Sequence, residues 1–158
     1  MTVVIRTAPE TGISETAEIL LVQDSVELAL LLGEVIRCWK PPHRVTVASD
    51  GEEALAVLRR RGKHALAPRP HLVLLDWNLP GDSGRGALKA IRSDPAARSL
   101  LVVVLTGSES ERDVRECYDL GANAFVHLPT DLHGMERTIH ATLDFWLGVV
   151  RQPPVPAP

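Results

Sequence analysis

Two aspartates stand where this chain could do chemistry. Asp24 lies two residues after the apolar run Ile19-Leu20-Leu21-Val22, and Asp76 directly follows Leu72-Val73-Leu74-Leu75. Runs this short and continuous suit strands covered on both faces. If both are parallel strands of one sheet, their carboxyl ends bring the two carboxylates to the edge where open α/β sheets bind ligands. Two acidic oxygens with a carbonyl beside them suit a hard divalent cation such as Mg2+, which keeps some waters and leaves room for a phosphate oxygen. Asp76 can then act as a carboxylate nucleophile, because the metal neutralises charge on the attacked phosphoryl group. Periodicity alone leaves a plainer reading open, in which Asp24 caps a helix and Asp76 caps a loop.

The elements that must position these residues alternate along the chain. Three further apolar runs are Val45-Thr46-Val47-Ala48, Leu101-Val102-Val103-Val104-Leu105 and Ala124-Phe125-Val126-His127-Leu128. Between them the sequence predicts helices over Val26 to Cys38, Asp50 to Leu58, Gly86 to Arg92, Ser108 to about Gly121, and Leu132 to Val150. Asp50 with Glu53, and Ser108 with Glu111, are spaced as capping boxes. Pro41-Pro42 and Asp94-Pro95 close the first and third helices. Five strands alternating with five helices imply an α/β, doubly wound parallel sheet, with the flavodoxin-like (βα)5 order 2-1-3-4-5. Its topological switch point falls between strands one and three, beside Gln23, Asp24 and Asp76. Arg59 to Pro70 reads as a long exposed connection.

Composition narrows the function classes. The chain has 158 residues, 45% apolar and 23% charged, which fits one globular domain. A net charge of −3 gives no general attraction to nucleic acid or to a membrane surface. No apolar run approaches the ~18 residues of a membrane span, and no secretory signal opens the chain. Cys38 and Cys117 have no metal-ligand spacing and read as reduced thiols in a cytoplasmic protein. Residues 1–16 read as a flexible tail, 17–150 as the domain, and 151–158 as a Pro-rich, extended tail with no further folded module expected.

Leu75-Asp76-Trp77-Asn78-Leu79-Pro80, with Gly84 following, resembles the phosphoacceptor loop of response-regulator receiver domains of two-component systems. Val104-Leu105-Thr106-Gly107 resembles the segment that carries the family's switch hydroxyl, and Thr106 follows Asp76 by the family's usual 30 residues. The resemblance covers about Ile19 to Val150. Within the family the chain is similar to the small stand-alone regulators of phytochrome kinases. That likeness lies in Asp50-Gly51-Glu52-Glu53-Ala54-Leu55, the basic loop before strand three, Asp94-Pro95, Tyr118-Asp119-Leu120-Gly121-Ala122-Asn123-Ala124 and Asp144-Phe145-Trp146-Leu147.

The resemblance implies a phosphorelay role, with Asp76 accepting a phosphoryl group from a sensor histidine kinase such as a phytochrome. It implies Mg2+ held by Asp24, Asp76 and the backbone carbonyl of Asn78. Thr106 would be the switch hydroxyl and Phe125 the switch aromatic, or else an ordinary edge-strand core residue. The chain would be a phosphoacceptor that catalyses its own transfer, not a conventional enzyme. The first helix and Gly84 to Ile91 would face the kinase.

Two positions depart from the family. Gln23 stands where the first of a pair of acids is usual, and Leu128 stands where a lysine precedes Pro129. The usual three carboxylates, lysine and divalent metal are neutral together, and so are Asp24, Asp76 and the metal here. The two departures therefore compensate in charge. They do not compensate in contacts, since leucine cannot donate to a phosphoryl oxygen. Gln23 could still accept a hydrogen bond from a metal-bound water. Weak Mg2+ binding and slow or unstable phosphorylation are the expectation. His127 is a poor substitute for the lysine, because strand neighbours point to opposite faces. A pseudo-receiver that works as an interaction module without phosphorylation stays open as the alternative.

The last helix carries a core stripe of Leu132, Met135, Ile139, Leu143 and Trp146, while Phe145, Val149 and Val150 lie off it. Apolar side chains of that size outside the core suggest an interface, with Phe145, Trp146 and Val149 as candidates. By resemblance this would be a homodimer through strand five and helix five. The other reading has the helix end pack under the N-terminal tail.

Overall fold

The five apolar runs form five parallel strands in a computed structural model that describes residues 16–39 and 42–155. They are β1 (Glu18–Val22), β2 (Arg44–Ala48), β3 (Leu72–Asp76), β4 (Leu101–Thr106) and β5 (Ala124–His127). The order β2-β1-β3-β4-β5 is the flavodoxin-like one that the sequence predicts. The helices are α1 (Val26–Arg37), α2 (Gly51–Leu58), α3 (Ser83–Ser93), α4 (Glu111–Asp119) and α5 (Leu132–Leu143). Residues 1–15 of the expected N-terminal tail, and 156–158 of the C-terminal one, lie outside the described residues.

Alternation along the strands builds two cores. Leu20, Val22, Val73, Leu75, Val102 and Val104 pack with Ala54 and Val57 of α2, Leu88 and Ile91 of α3, and Cys117 of α4. On the opposite face Ile19, Leu21, Leu72, Leu74 and Val103 pack with Leu32 and Ile36 of α1 and Ile139 and Leu143 of α5. The three central strands are thus buried on both sides, which is why they read as unbroken apolar runs. The edge strands β2 and β5 are more open. None of the described helices is long and apolar enough to cross a membrane.

Local signals set the helix starts, with corrections to the sequence reading. Asp50 caps α2 by accepting the Glu53 N–H at 2.8 Å. Glu53 reaches one residue beyond the expected box and accepts from the Ser49 N–H and hydroxyl at 2.8 and 2.9 Å. α4 starts two residues later than expected, capped by Ser110 instead of Ser108. Ser108 is drawn off to donate its hydroxyl to Asp113 at 2.6 Å. α3 begins at Ser83, ahead of the expected Gly86, because a 3-10 turn over Pro80–Asp82 feeds directly into it.

The last helix is not one α-helix to Val150. It widens into a π-helix over Asp144–Val149. That change of period brings Leu147 into the buried stripe; Leu132, in the exposed first turn of α5 and well ahead of the π-helix, does not face the sheet. The first residues past the domain are also less free than a loose tail. Gln152 Nε2 donates to the Trp146 carbonyl at 2.6 Å, and Gln152 and Pro153 are half-buried. The Arg59 to Pro70 connection is largely exposed but contains a 3-10 turn at Gly62–His64, tied down by Lys63 and His64 on Glu53.

Candidate functional site

Parallel register lines up the site at the carboxyl ends of three neighbouring strands. Val22 pairs with Leu75 across β1 and β3, so Gln23 comes level with Asp76. Asp76 pairs with Leu105 across β3 and β4, so Thr106 follows at the same edge. Asp24 comes next on the β1 side and is exposed. The cap of α1 is Ser25, whose Oγ accepts the Leu28 N–H at 3.2 Å. Asp24 is therefore not spent on capping, which removes the plainer reading for that residue.

Asp76 is half-buried, and its Oδ1 accepts the Asn78 backbone N–H at 3.0 Å. Burial pushes its carboxyl above the ordinary range. The Asn78 N–H and a hydrogen bond from the Gln23 side chain oppose that push, and the negative charge of Asp24 adds to it. Gln23 is itself buried, with Oε1 accepting the Ser25 N–H at 3.0 Å. That bond uses one of the two lone pairs of its carboxamide oxygen. Leu128 sits in the apolar cluster on the α1 and α5 side, and its N–H donates to the Thr106 carbonyl at 2.8 Å. His127 turns away, its Nε2 lying 3.6 Å from Glu109.

Thr106 is buried, and its Oγ1 accepts two hydrogen bonds, from Asn78 Nδ2 at 2.9 Å and from the Ser108 N–H at 3.1 Å. Phe125 pairs with Val104 and is half-buried against the α2–α4 core, with its N–H donated to the Tyr118 hydroxyl at 3.1 Å. Trp77 is fully buried, and the Arg85 guanidinium lies 4.7 Å from its ring centroid. Arg85 also bridges to α4 through Asp113 at 3.2 Å and Glu116 at 2.9 Å.

Sequence reasoning placed Asp24, Asp76, Thr106 and Gln23 at one edge, and the structure brings them together. It missed the side chain of Asn78, the contact of Ser108 and the clamp of Arg85. Asn78 had a signal, because a carboxamide two residues after an acceptor can reach across to the next strand. Arg85 had none, since its partners are on another helix and its spacing to them follows no local period.

The donor chemistry fits a hard cation. Asp24, Asp76 and a backbone carbonyl at Asn78 offer oxygen alone, and the Asp24 charge pressing on a half-buried Asp76 favours a positive ion between them. Among the described residues no three His, Cys, Asp or Glu side chains form a metal cage. A cation here would complete its shell with the carbonyl and water, as Mg2+ does.

Comparison with known proteins gives four matches. The response regulator receiver domain family matches residues 19–140. The response regulator Rcp1 of Synechocystis sp. is 36% identical over 135 residues, covering 85% of this chain and 92% of that protein. Among solved structures, the phosphorylated cyanobacterial phytochrome response regulator RcpA superposes with a TM-score of 0.82 at 36% identity, covering 89% of this chain and 100% of its own. The Mn2+-bound form of Rcp1 superposes at 0.79 with the same identity, covering 87% and 99%.

Proposed function

This chain belongs to the response regulator receiver domain family, and on that premise we propose that Asp76 accepts a phosphoryl group from a sensor histidine kinase. The observation that carries the reading is the convergence of Asp76, Asp24 and Thr106 at the ends of β3, β1 and β4. A carboxylate oxygen of Asp76 attacks phosphorus as the bond to the kinase histidine breaks. The electron pair returns to the imidazole nitrogen, and Asp76 becomes an acyl phosphate. Mg2+ held by Asp24, Asp76 and the Asn78 carbonyl would supply charge neutralisation for this step. Gln23 removes one carboxylate and Leu128 removes an ammonium, so weak cation binding and slow transfer follow.

After transfer, the Thr106 hydroxyl leaves its two donors and hydrogen-bonds a phosphoryl oxygen. Phe125 then moves further into the space beside α4. The chain catalyses transfer onto itself and does not turn over as a conventional enzyme. The alternative, an interaction module that needs no phosphorylation, draws its support from Leu128, which lies in an apolar cluster and offers no ammonium.

The kinase would dock beside Asp24, where Val26 and Leu30 of α1 expose apolar side chains one turn apart. The likeness to phytochrome regulators makes a phytochrome in the cytoplasm the partner we favour. A homodimer would form through β5 and the end of α5, where Phe145 is 49% and Val149 65% exposed and Trp146 packs edge-on to Phe145. Sedimentation should show a dimer that Phe145→Glu converts to monomer; a native chain that stays monomeric at high concentration contradicts it.

Trp77 reports on Asp76 directly, because its buried ring follows the acceptor and lies under the Arg85 guanidinium. Mg2+ with beryllofluoride should change tryptophan fluorescence in the native chain and leave Asp76→Asn unchanged. A native signal that does not move, or that moves equally in Asp76→Asn, would sink the acceptor reading.

A further inference from the structure

We propose that His43 and His71 form an acid-sensitive clasp on the amino end of β1, closed while both rings are neutral and opened by their protonation. The clasp lies at the edge of the sheet opposite Asp76 and does not depend on the acceptor reading.

Backbone and ring build the clasp together. Ala17 precedes β1 and Glu18 opens it. The Ala17 N–H donates to His43 Nδ1 at 3.1 Å, and the Ala17 carbonyl accepts the Arg44 N–H at 2.9 Å. One residue on, the Glu18 N–H donates to His71 Nδ1 at 2.9 Å, and the Glu18 carbonyl accepts the His71 N–H at 2.8 Å. Ala17 is thus held from the β2 side and Glu18 from the β3 side, with a ring nitrogen completing each pair of bonds.

An imidazole nitrogen accepts a hydrogen bond only while it carries no proton. Both rings must therefore keep their single proton on Nε2. An imidazolium carries a proton on each nitrogen, so turning the ring over restores no acceptor. Protonation of His43 would leave the N–H of Ala17, a fully buried residue, without its partner.

The surroundings oppose that charge. His43 is 5% exposed, and burial pushes its pKa below the ordinary 6.5, with the nearby His71 pushing the same way. Glu18, Arg37 and Arg44 line the cleft beside His43. Arg44 holds the Glu18 carboxylate at 2.7 Å and Glu34 holds Arg37 at 3.0 Å, so the carboxylates there are already matched by guanidinium groups. Near His71, Arg69 donates to the Ala96 carbonyl at 2.7 Å. The unfolded chain takes up a proton on His43 as pH falls through 6.5, and the folded chain resists it. The clasp therefore contributes its full stability above 6.5 and loses it progressively below. Mild acid should free the point at which the chain enters the sheet and leave Asp24 and Asp76, at the other end of the strands, in place.

The test is amide exchange by NMR on the full chain between about pH 7.5 and about pH 5, corrected for the intrinsic pH dependence of exchange. Protection at Ala17 and Glu18 should fall at least about tenfold across that range, the factor that loss of one buried acceptor carries. Leu21 and Leu74, in the middle of the sheet, should keep theirs. The double variant His43→Asn with His71→Asn retains an acceptor oxygen that never charges, and its Ala17 and Glu18 amides should show no such fall. His43→Phe should leave Ala17 poorly protected at both ends of the range. In the native chain, ring nitrogen-15 spectra should show both Nδ1 atoms without a proton at neutral pH, and the His43 ring should titrate together with the loss of Ala17 protection.

Protection at Ala17 and Glu18 that is constant across the range, or that falls equally in the double Asn variant, would overturn the clasp. So would a native His43 or His71 ring that carries its proton on Nδ1 at neutral pH, a result that requires no variant to fold.

Discussion

The Gly84→Ala protein is expected to unfold roughly 5–10 °C below the native chain and to lose most of its phosphoryl uptake. Gly84 is the second residue of α3, where Ala would ordinarily be favoured by about 1 kcal/mol on helix propensity. Its surroundings reverse the sign. A Cβ at Gly84 would stand 2.8 Å from the Asp76 carbonyl oxygen and 3.0 Å from that of Trp77. Both are backbone atoms of the acceptor segment, and neither can swing aside as a flexible side chain would. Relief requires α3 or the Asp76–Trp77 peptide to move, at a cost of about 2–3 kcal/mol. Because the same peptide sets the direction of the Asp76 carboxylate, stability and acceptance should fall together. Thermal unfolding and acetyl phosphate uptake measure the two separately. A Gly84→Ala protein more stable than the native chain would show that propensity wins and that α3 does not press on the acceptor.

Asp76→Asn is expected to abolish phosphoryl acceptance completely and yet unfold at a higher temperature than the native chain in metal-free neutral buffer. Burial, with the charge of Asp24, raises the Asp76 carboxyl above its ordinary value of 3.8, against hydrogen bonds from the Asn78 N–H and Gln23. The folded state therefore holds the proton more tightly than the unfolded chain does. At pH below 3.8 both states are protonated and Asp76 costs no stability. As pH rises through the folded value, ionisation penalises the folded state more, and the full penalty stands at neutral pH. An amide carries no charge to desolvate and can still accept the Asn78 N–H, so its advantage should appear only on the neutral side. Unfolding midpoints across an acid-to-neutral series check this. An Asp76→Asn protein less stable than the native chain at neutral pH would show that the carboxylate is held favourably and not under load.

Much of this was legible in the sequence, for identifiable reasons. Leu72-Val73-Leu74-Leu75 and Leu101-Val102-Val103-Val104-Leu105 suit doubly covered strands, and five apolar runs alternating with helices imply the flavodoxin-like order. Asp76 was readable because it ends the run at the switch point. The π-helix over Asp144–Val149 was not readable, since a wider turn leaves no mark in residue type and shows only as a shift in which side chains are buried, here Leu147. The cap at Ser110 was hidden by an equally good candidate at Ser108, and tertiary pairing of Ser108 with Asp113 decided between them. The direction of the Gln23 amide was invisible for a different reason. Residue type says that it can donate and accept; the Ser25 N–H at the start of α1 takes the oxygen.

The central claim is that Asp76 is chemically an acceptor and not merely placed where acceptors are. The most direct measurement is the intact mass of the native chain after incubation with acetyl phosphate and Mg2+, with peptide mapping of the product and Asp76→Asn treated in parallel. The expected result is a gain of one phosphoryl group on the native chain, mapped to the peptide that contains Asp76, and no gain on Asp76→Asn. An unchanged native mass, or a phosphoryl group that persists in Asp76→Asn, would contradict it.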